Sequence, residues 1–216
     1  MSELKDLKGF LSALMKKPTL SGKAIVPVPG NLPTPCFPDI IEEILKVVAE
    51  REWEEISDRA KNYLKWISVK AESIDTLAPT QYKKSTIGFE LLAIDREVNS
   101  FGEIVERSHE LGIPSFLVRF ASLISTFLTV RLLSQYMVRD GELMPSLKFS
   151  QNVDSNYLNY PRTLKTLLEL FPEYQKMFFF EINEEVSSDY LTTIRDLAED
   201  LGIKLALDDT NKMDVD

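Results

Sequence analysis

"FFFEINEEVSSDYLTTIRDLAEDLGIKLALDD", residues 178–209, contains two short apolar runs around one amphipathic run. "KMFFFEIN", 176–183, reads as a strand, and Phe178, Phe179 and Phe180 most simply pack a core. Tyr190, Ile194, Leu197, Ala198 and Leu201 fall at helical spacing, and Gly202 supplies a stop. Lys204–Leu207 then reads as a second strand. A strand, a helix and a strand in this order predict a βαβ unit with parallel strands. Each strand delivers acids at its C-terminal end: Glu181 and Glu184 after the first, Asp208 and Asp209 after the second.

Working outward, the same alternation extends back to about residue 65. "KWISVKAES" and "STIGFELLAI" read as strands, "FGEIVERSHELG" as a helix ending at Gly112, and "LKFSQNV" as a strand. "YPRTLKTLLELF" reads as a helix. "PSFLVRFASLISTFLTVRLLSQYMV" reads as a long buried helix that Pro114 helps to start. Arg119 and Arg131 interrupt it, so its uncharged run is well short of the roughly 20 residues that span a bilayer. No membrane span is expected.

Before residue 60 the character differs. Leu4, Leu7, Phe10, Leu11 and Leu14 suggest a short amphipathic helix. Pro27, Pro29, Pro33, Pro35 and Pro38 form an extended arm. A single helical run is expected from Asp39 to about Ile67. We therefore divide the chain into an N-terminal extension, 1–60, and an α/β domain, 61–216.

Composition excludes several classes. Of 216 residues, 44% are hydrophobic and 27% charged, as in a soluble globular protein. The net charge of −9 argues against a nucleic-acid polymer as partner. Cys36 is the single cysteine, so no internal disulfide forms and a cytoplasmic location is expected. There is no phosphate-binding G-x-x-x-x-G-K-[ST] loop, no Gly-rich dinucleotide turn and no G-x-S-x-G nucleophile elbow. His109 reads as a surface residue in the last turn of a helix.

Glu90, Asn152, Glu181 and Asp208 all stand near the ends of apolar strands. A buried, unpaired carboxylate costs several kcal/mol, so four strands with this feature suggest convergence. In a parallel barrel the strand C-termini form one face, where active sites sit. Carboxylates and an amide oxygen are hard ligands that suit Mg²⁺, Mn²⁺ or Ca²⁺. The plainer alternative is that such acids cap or charge the next helix, above all Glu184, Glu185 and Asp189. An unrelated α/β domain with scattered caps would place the four residues far apart.

Four segments carry a resemblance. "GFELLA", "FSQNVDSNYL", "FEINEE" and "GIKLALDDTN" resemble, in order and spacing, the motifs of the EAL domain family of cyclic di-GMP phosphodiesterases. Asp154 stands where that family usually has serine, and Leu158 matches its leucine. The resemblance implies an incomplete TIM-like (β/α) barrel. It implies Glu90, Asn152, Glu181 and Asp208 as ligands of a first Mg²⁺ or Mn²⁺, Asp209 at a second metal, and Glu184 in support. It further implies cyclic di-GMP as ligand and cleavage to pGpG.

The chain also departs from the family. Ile94 stands where a phosphate-holding arginine is usual, and "TNKM", 210–213, replaces the Phe-Gly-Thr-Gly loop. The family's later lysine, glutamate and glutamine have no counterpart. Two expectations follow: a fragment of a longer protein, or a shortened, degenerate relative. Either way hydrolysis by the 216 residues alone is expected to be weak or absent. Open strand edges would favour a second copy or a protein partner. The alternative function is an interaction module without catalysis, with the long apolar helix Phe116–Val138 or the N-terminal arm as its surface.

Overall fold

Pro38 opens the first helix at a position where its missing N–H is not needed. In this helix, α1 (Pro38–Val48), Ile41, Ile44 and Leu45 are spaced for one face, and that face is buried. The structure is a computed structural model. It describes residues 37–76, 85–95, 100–136, 148–154, 157, 160–171, 177–182 and 188–207. The amphipathic segment at 1–20 and all of the Pro-rich arm before Phe37 lie outside these.

The single run expected from Asp39 to Ile67 is instead three helices. α1 ends at Ala49, whose backbone leaves the helical region at φ −139°, ψ 43°. α2 (Glu50–Glu55) ends at the extended Ile56, and α3 (Asp58–Leu64) begins behind Ser57. The Ser57 hydroxyl accepts from Ala60 N–H at 3.2 Å, a regular N-cap. The two turns bring Trp53, Ile56, Ala60 and Leu64 into the same buried cluster as Ile41 and Leu45. That cluster continues into the α/β part through Ile67, Phe127, Phe149 and Phe178, so these helices and the sheet share one core.

The sheet comprises β1 (Ser68–Thr76), β2 (Ser85–Ile94), β3 (Lys148–Asn152), β4 (Phe178–Ile182) and β5 (Lys204–Leu207), in that spatial order. β2 to β5 run parallel, as the alternation predicts. α4 (Phe101–Glu110) and α5 (Ser115–Tyr136) connect β2 to β3, α6 (Pro161–Glu169) connects β3 to β4, and α7 (Ser188–Leu201) connects β4 to β5. Gly112 and Gly202, with φ of +66° and +67°, follow α4 and α7 in the left-handed conformation expected of helix stops. β1 departs from the parallel expectation: it pairs antiparallel with β2, Ser68 opposite Ile94. A parallel crossover needs a dozen or more residues, and the link from Thr76 to Ser85 is shorter than that. Among the described residues the sheet is open, with β1 and β5 at its edges.

The two faces of this sheet differ. Leu91, Phe149, Phe178, Phe180 and Ile182 point to the helices and are each at most 2% exposed. In the parallel register Glu90 lies beside Ser150, and Asn152 beside Glu181. Side chains alternate along a strand, so Glu90, Ser150, Asn152, Phe179 and Glu181 share the other face. In a closed barrel that face would be the interior.

α5 is the central helix. Every residue from Phe116 to Val130 is buried, which is why apolar residues fall on all sides of it, with Arg119, Ser122, Ser125, Thr126 and Thr129 buried among them. The expectation that Phe116–Val138 forms an exposed interaction surface is therefore corrected over Phe116–Val130: that stretch is enclosed between α1, α3 and α4 and the strands β1 and β3. No described helix is long and apolar enough to cross a membrane.

Candidate functional site

Three of the expected site residues lie on adjacent strands at one end of the sheet. Glu90 is in β2, Asn152 is the last residue of β3, and Glu181 is in β4. Asn152 Nδ2 donates to Glu90 Oε1 at 3.1 Å. Asn152 and Glu181 are register partners, so they stand side by side on the same face. Asn152 is exposed, while Glu90 and Glu181 are half-buried. Glu184, Asp208 and Asp209 lie outside the described residues.

The donor chemistry fits a hard divalent cation in kind. Two carboxylates and one amide supply oxygen ligands, and Asn152 spends its nitrogen on Glu90, leaving its amide oxygen as the acceptor. Among the described residues no three acids, histidines or cysteines stand close enough to form a metal site by themselves. An occupied site would therefore draw on Asn152 or on groups beyond those described.

The chain around Asn152 is held by a second structure that the sequence did not announce. Arg119, on buried α5, donates from Nε to both carboxylate oxygens of Asp154, at 2.8 and 2.7 Å, and from Nη2 to Oδ2. Nη1 donates to the Ser115 carbonyl at 3.2 Å, and the guanidinium lies 5.3 Å from the Phe101 ring centre. The Tyr157 hydroxyl donates to the Arg119 carbonyl at 3.1 Å. Burial pushes the Tyr157 phenol well above its ordinary range, with the Asp154 charge adding to the effect. This network ties the end of β3 to α4 and α5. Its signal in the sequence is an arginine inside a largely apolar helix, which by itself names no partner.

A cleft of about 310 Å³ opens over the ends of β2, β3 and β4. Asn152, Asp154 and Glu181 border it, and Gln151 and Ser122 lie among its polar lining. Gln151 Nε2 donates to Ser122 Oγ at 3.2 Å. Gln151 was not singled out in the sequence, because a glutamine inside an apolar strand carries no motif. His109 is exposed in the last turn of α4, as expected.

No family model matches the chain, and none of the curated proteins does. Among solved structures it is similar to "PaMucR Phosphodiesterase, c-di-GMP complex", at 14% identity and a TM-score of 0.49, over 80% of this chain and 64% of that one. It is also similar to "Vibrio cholerae LapD S helix-GGDEF-EAL (bound to c-di-GMP)", at 13% identity and a TM-score of 0.39, over 81% of this chain and 39% of that one. The chain thus spans less than two thirds of the length of either. The second is named as containing an EAL domain, the family whose motifs the sequence resembles.

Proposed function

We propose that the chain is an EAL-type domain that binds cyclic di-GMP in a signalling role, and that it derives from a metal-dependent phosphodiesterase yielding pGpG. The observation that carries this reading is the alignment of Glu90, Asn152 and Glu181 on one face of three adjacent strands, with Asn152 bonded to Glu90. Scattered helix caps would not produce it.

In this reading Glu90, Asn152 and Glu181, with Asp208, hold Mg²⁺ or Mn²⁺, while Asp209 holds a second ion and Glu184 supports the set. A bound ion of this kind would lower the pKa of a water and neutralise phosphate oxygens. The protein's own part is positional. Asn152 orients Glu90, and the Arg119–Asp154 pair fixes the backbone just after Asn152. Ile94, at the end of β2, offers no charge to a phosphate, so turnover by this chain is expected to be weak or absent.

The test is titration of the chain with cyclic di-GMP in Ca²⁺, and a hydrolysis assay in Mg²⁺ and Mn²⁺. Micromolar binding that is lost in Glu90→Ala supports the reading. No binding in any of the three ions overturns it. A second reading, an interaction module without catalysis, is favoured by β5, a short strand paired on one side only among the described residues. A specific protein partner whose binding survives Glu90→Ala would support it.

A further inference from the structure

We propose that a cavity between α3 and α4 seats a small zwitterion, an α-amino acid with an aromatic side chain. The cavity has two adjoining parts, of about 210 and 450 Å³, which share Arg59, Arg107 and Leu111 as lining. Together they fall within the span of small-molecule sites, roughly 300–1,000 Å³. Neither part shares a lining residue with the cleft over β2, β3 and β4, so this site is independent of the proposed function. In the smaller part Tyr63, Trp66 and Leu111 are half-buried and supply apolar surface. Tyr63 and Leu111 also pack against the main core, which makes that surface a firm floor for a flat apolar body. Arg59 and Asn62 stand exposed at its border.

The charges around this cavity divide into those already engaged and those left open. The Tyr63 hydroxyl donates to Asp95 Oδ2 at 2.8 Å, and the Arg107 guanidinium lies 5.7 Å from the Tyr63 ring centre. Glu103 accepts from the Ser100 hydroxyl at 2.9 Å. Arg59 on α3, and Glu106 and Glu110 on α4, border the same space, yet none of the three has an ion pair or side-chain hydrogen bond among the described residues. The open space keeps these opposite charges apart. Glu106 and Glu110 stand one turn apart on α4, where like charges repel, and Glu110 is in the last turn, where the helix dipole disfavours an acid. A position that breaks a local rule with no compensation in the chain marks a functional site. An ammonium from a ligand would relieve both glutamates. Across the space, the Arg59 fork and the Asn62 amide match a carboxylate. A phosphate dianion would face the same glutamates with nothing to offset them. An α-amino acid carries ammonium and carboxylate on one carbon, and an aromatic side chain supplies the body for Tyr63 and Trp66.

The probe is phenylalanine, added to the whole chain and followed by tryptophan emission. Trp66 lines the cavity while Trp53 is 1% exposed, so a change in emission that disappears in Trp66→Phe reports this site. We expect millimolar phenylalanine to produce that change. Phenylacetate, which lacks the ammonium, and phenethylamine, which lacks the carboxylate, should each bind at least roughly fivefold more weakly. Arg59→Gln should weaken phenylalanine roughly tenfold, the worth of one hydrogen bond to a charged group. Glu110→Gln should weaken phenylalanine but not phenylacetate. Arg59 and Glu110 are exposed and unpaired among the described residues, so neither variant should melt below the wild type. Emission unmoved at saturating phenylalanine, wild-type affinity in Arg59→Gln, or phenylacetate bound as tightly as phenylalanine overturns the inference.

Discussion

Asn152 and Glu90 lie 62 positions apart in the chain, yet Asn152 Nδ2 donates to Glu90 Oε1 at 3.1 Å across two parallel strands. The amide is what allows a carboxylate neighbour there. With Asn152→Asp the donor is lost and two carboxylates face each other. We expect the metal-free variant to lose about 1 kcal/mol, from one hydrogen bond and a like-charge contact near the surface. Mn²⁺ should then raise its melting temperature by more than it raises that of the wild type. Thermal melts with and without Mn²⁺ measure this. Equal Mn²⁺ shifts in both proteins would count against a metal at this pair.

The Arg119–Asp154 pair should respond asymmetrically. The Arg119 side chain is 8% exposed, while Asp154 is 40% exposed. Asp154→Asn strands a buried guanidinium and should cost about 2 kcal/mol, less than a fully buried pair because Asp154 is partly hydrated. Arg119→Met keeps the apolar stem, and the partly exposed Asp154 carboxylate can hydrate, so about 1 kcal/mol is expected. Urea unfolding of both single variants and the double variant gives the coupling. A larger loss for Arg119→Met would show that packing, and not the charge, dominates.

Tyr157 makes stability depend on alkaline pH. Burial raises its folded-state pKa above the ordinary value of 10.0, so the native state holds the phenol proton longer than the unfolded chain does. Its contribution is complete below that ordinary value and is lost as pH rises toward the folded value. Tyr157→Phe loses the bond to the Arg119 carbonyl, about 1 kcal/mol at neutral pH, but carries no such titration. The stability gap between wild type and variant should therefore narrow above about pH 10. Denaturant titrations from about pH 8 to about pH 11, which bracket the ordinary phenol pKa, measure it, and a constant gap would refute the assignment.

Gly88 governs the first parallel pairing. A Cβ at this position would lie 2.5 Å from the Lys148 carbonyl oxygen, in the register pair that begins the β2–β3 ladder. That atom belongs to backbone and cannot swing away. Gly88→Ala should cost about 2–3 kcal/mol, and it should weaken amide protection in both strands, read by hydrogen exchange. Unchanged protection would mean that the strands separate there without penalty.

Much of this architecture follows from local pattern. The apolar runs at Ser85–Ile94, Lys148–Asn152, Phe178–Ile182 and Lys204–Leu207 are strands, and the 3.6-residue runs between them are helices. Burial imposes a period on each element separately, so each could be read without its neighbours. The expected polar residues at strand ends were legible for the same reason: Glu90, Asn152 and Glu181 break apolar runs where apolar residues would be less costly. Tertiary structure alone decided how the pieces meet. It set β1 antiparallel, broke the run after Asp39 at Ala49 and Ile56, enclosed Phe116–Val130, and joined Arg119 to Asp154 35 positions away. Periodicity records that a side chain is buried but not which distant group satisfies it. A buried arginine and a buried glutamine therefore take their meaning only from partners that the chain brings to them.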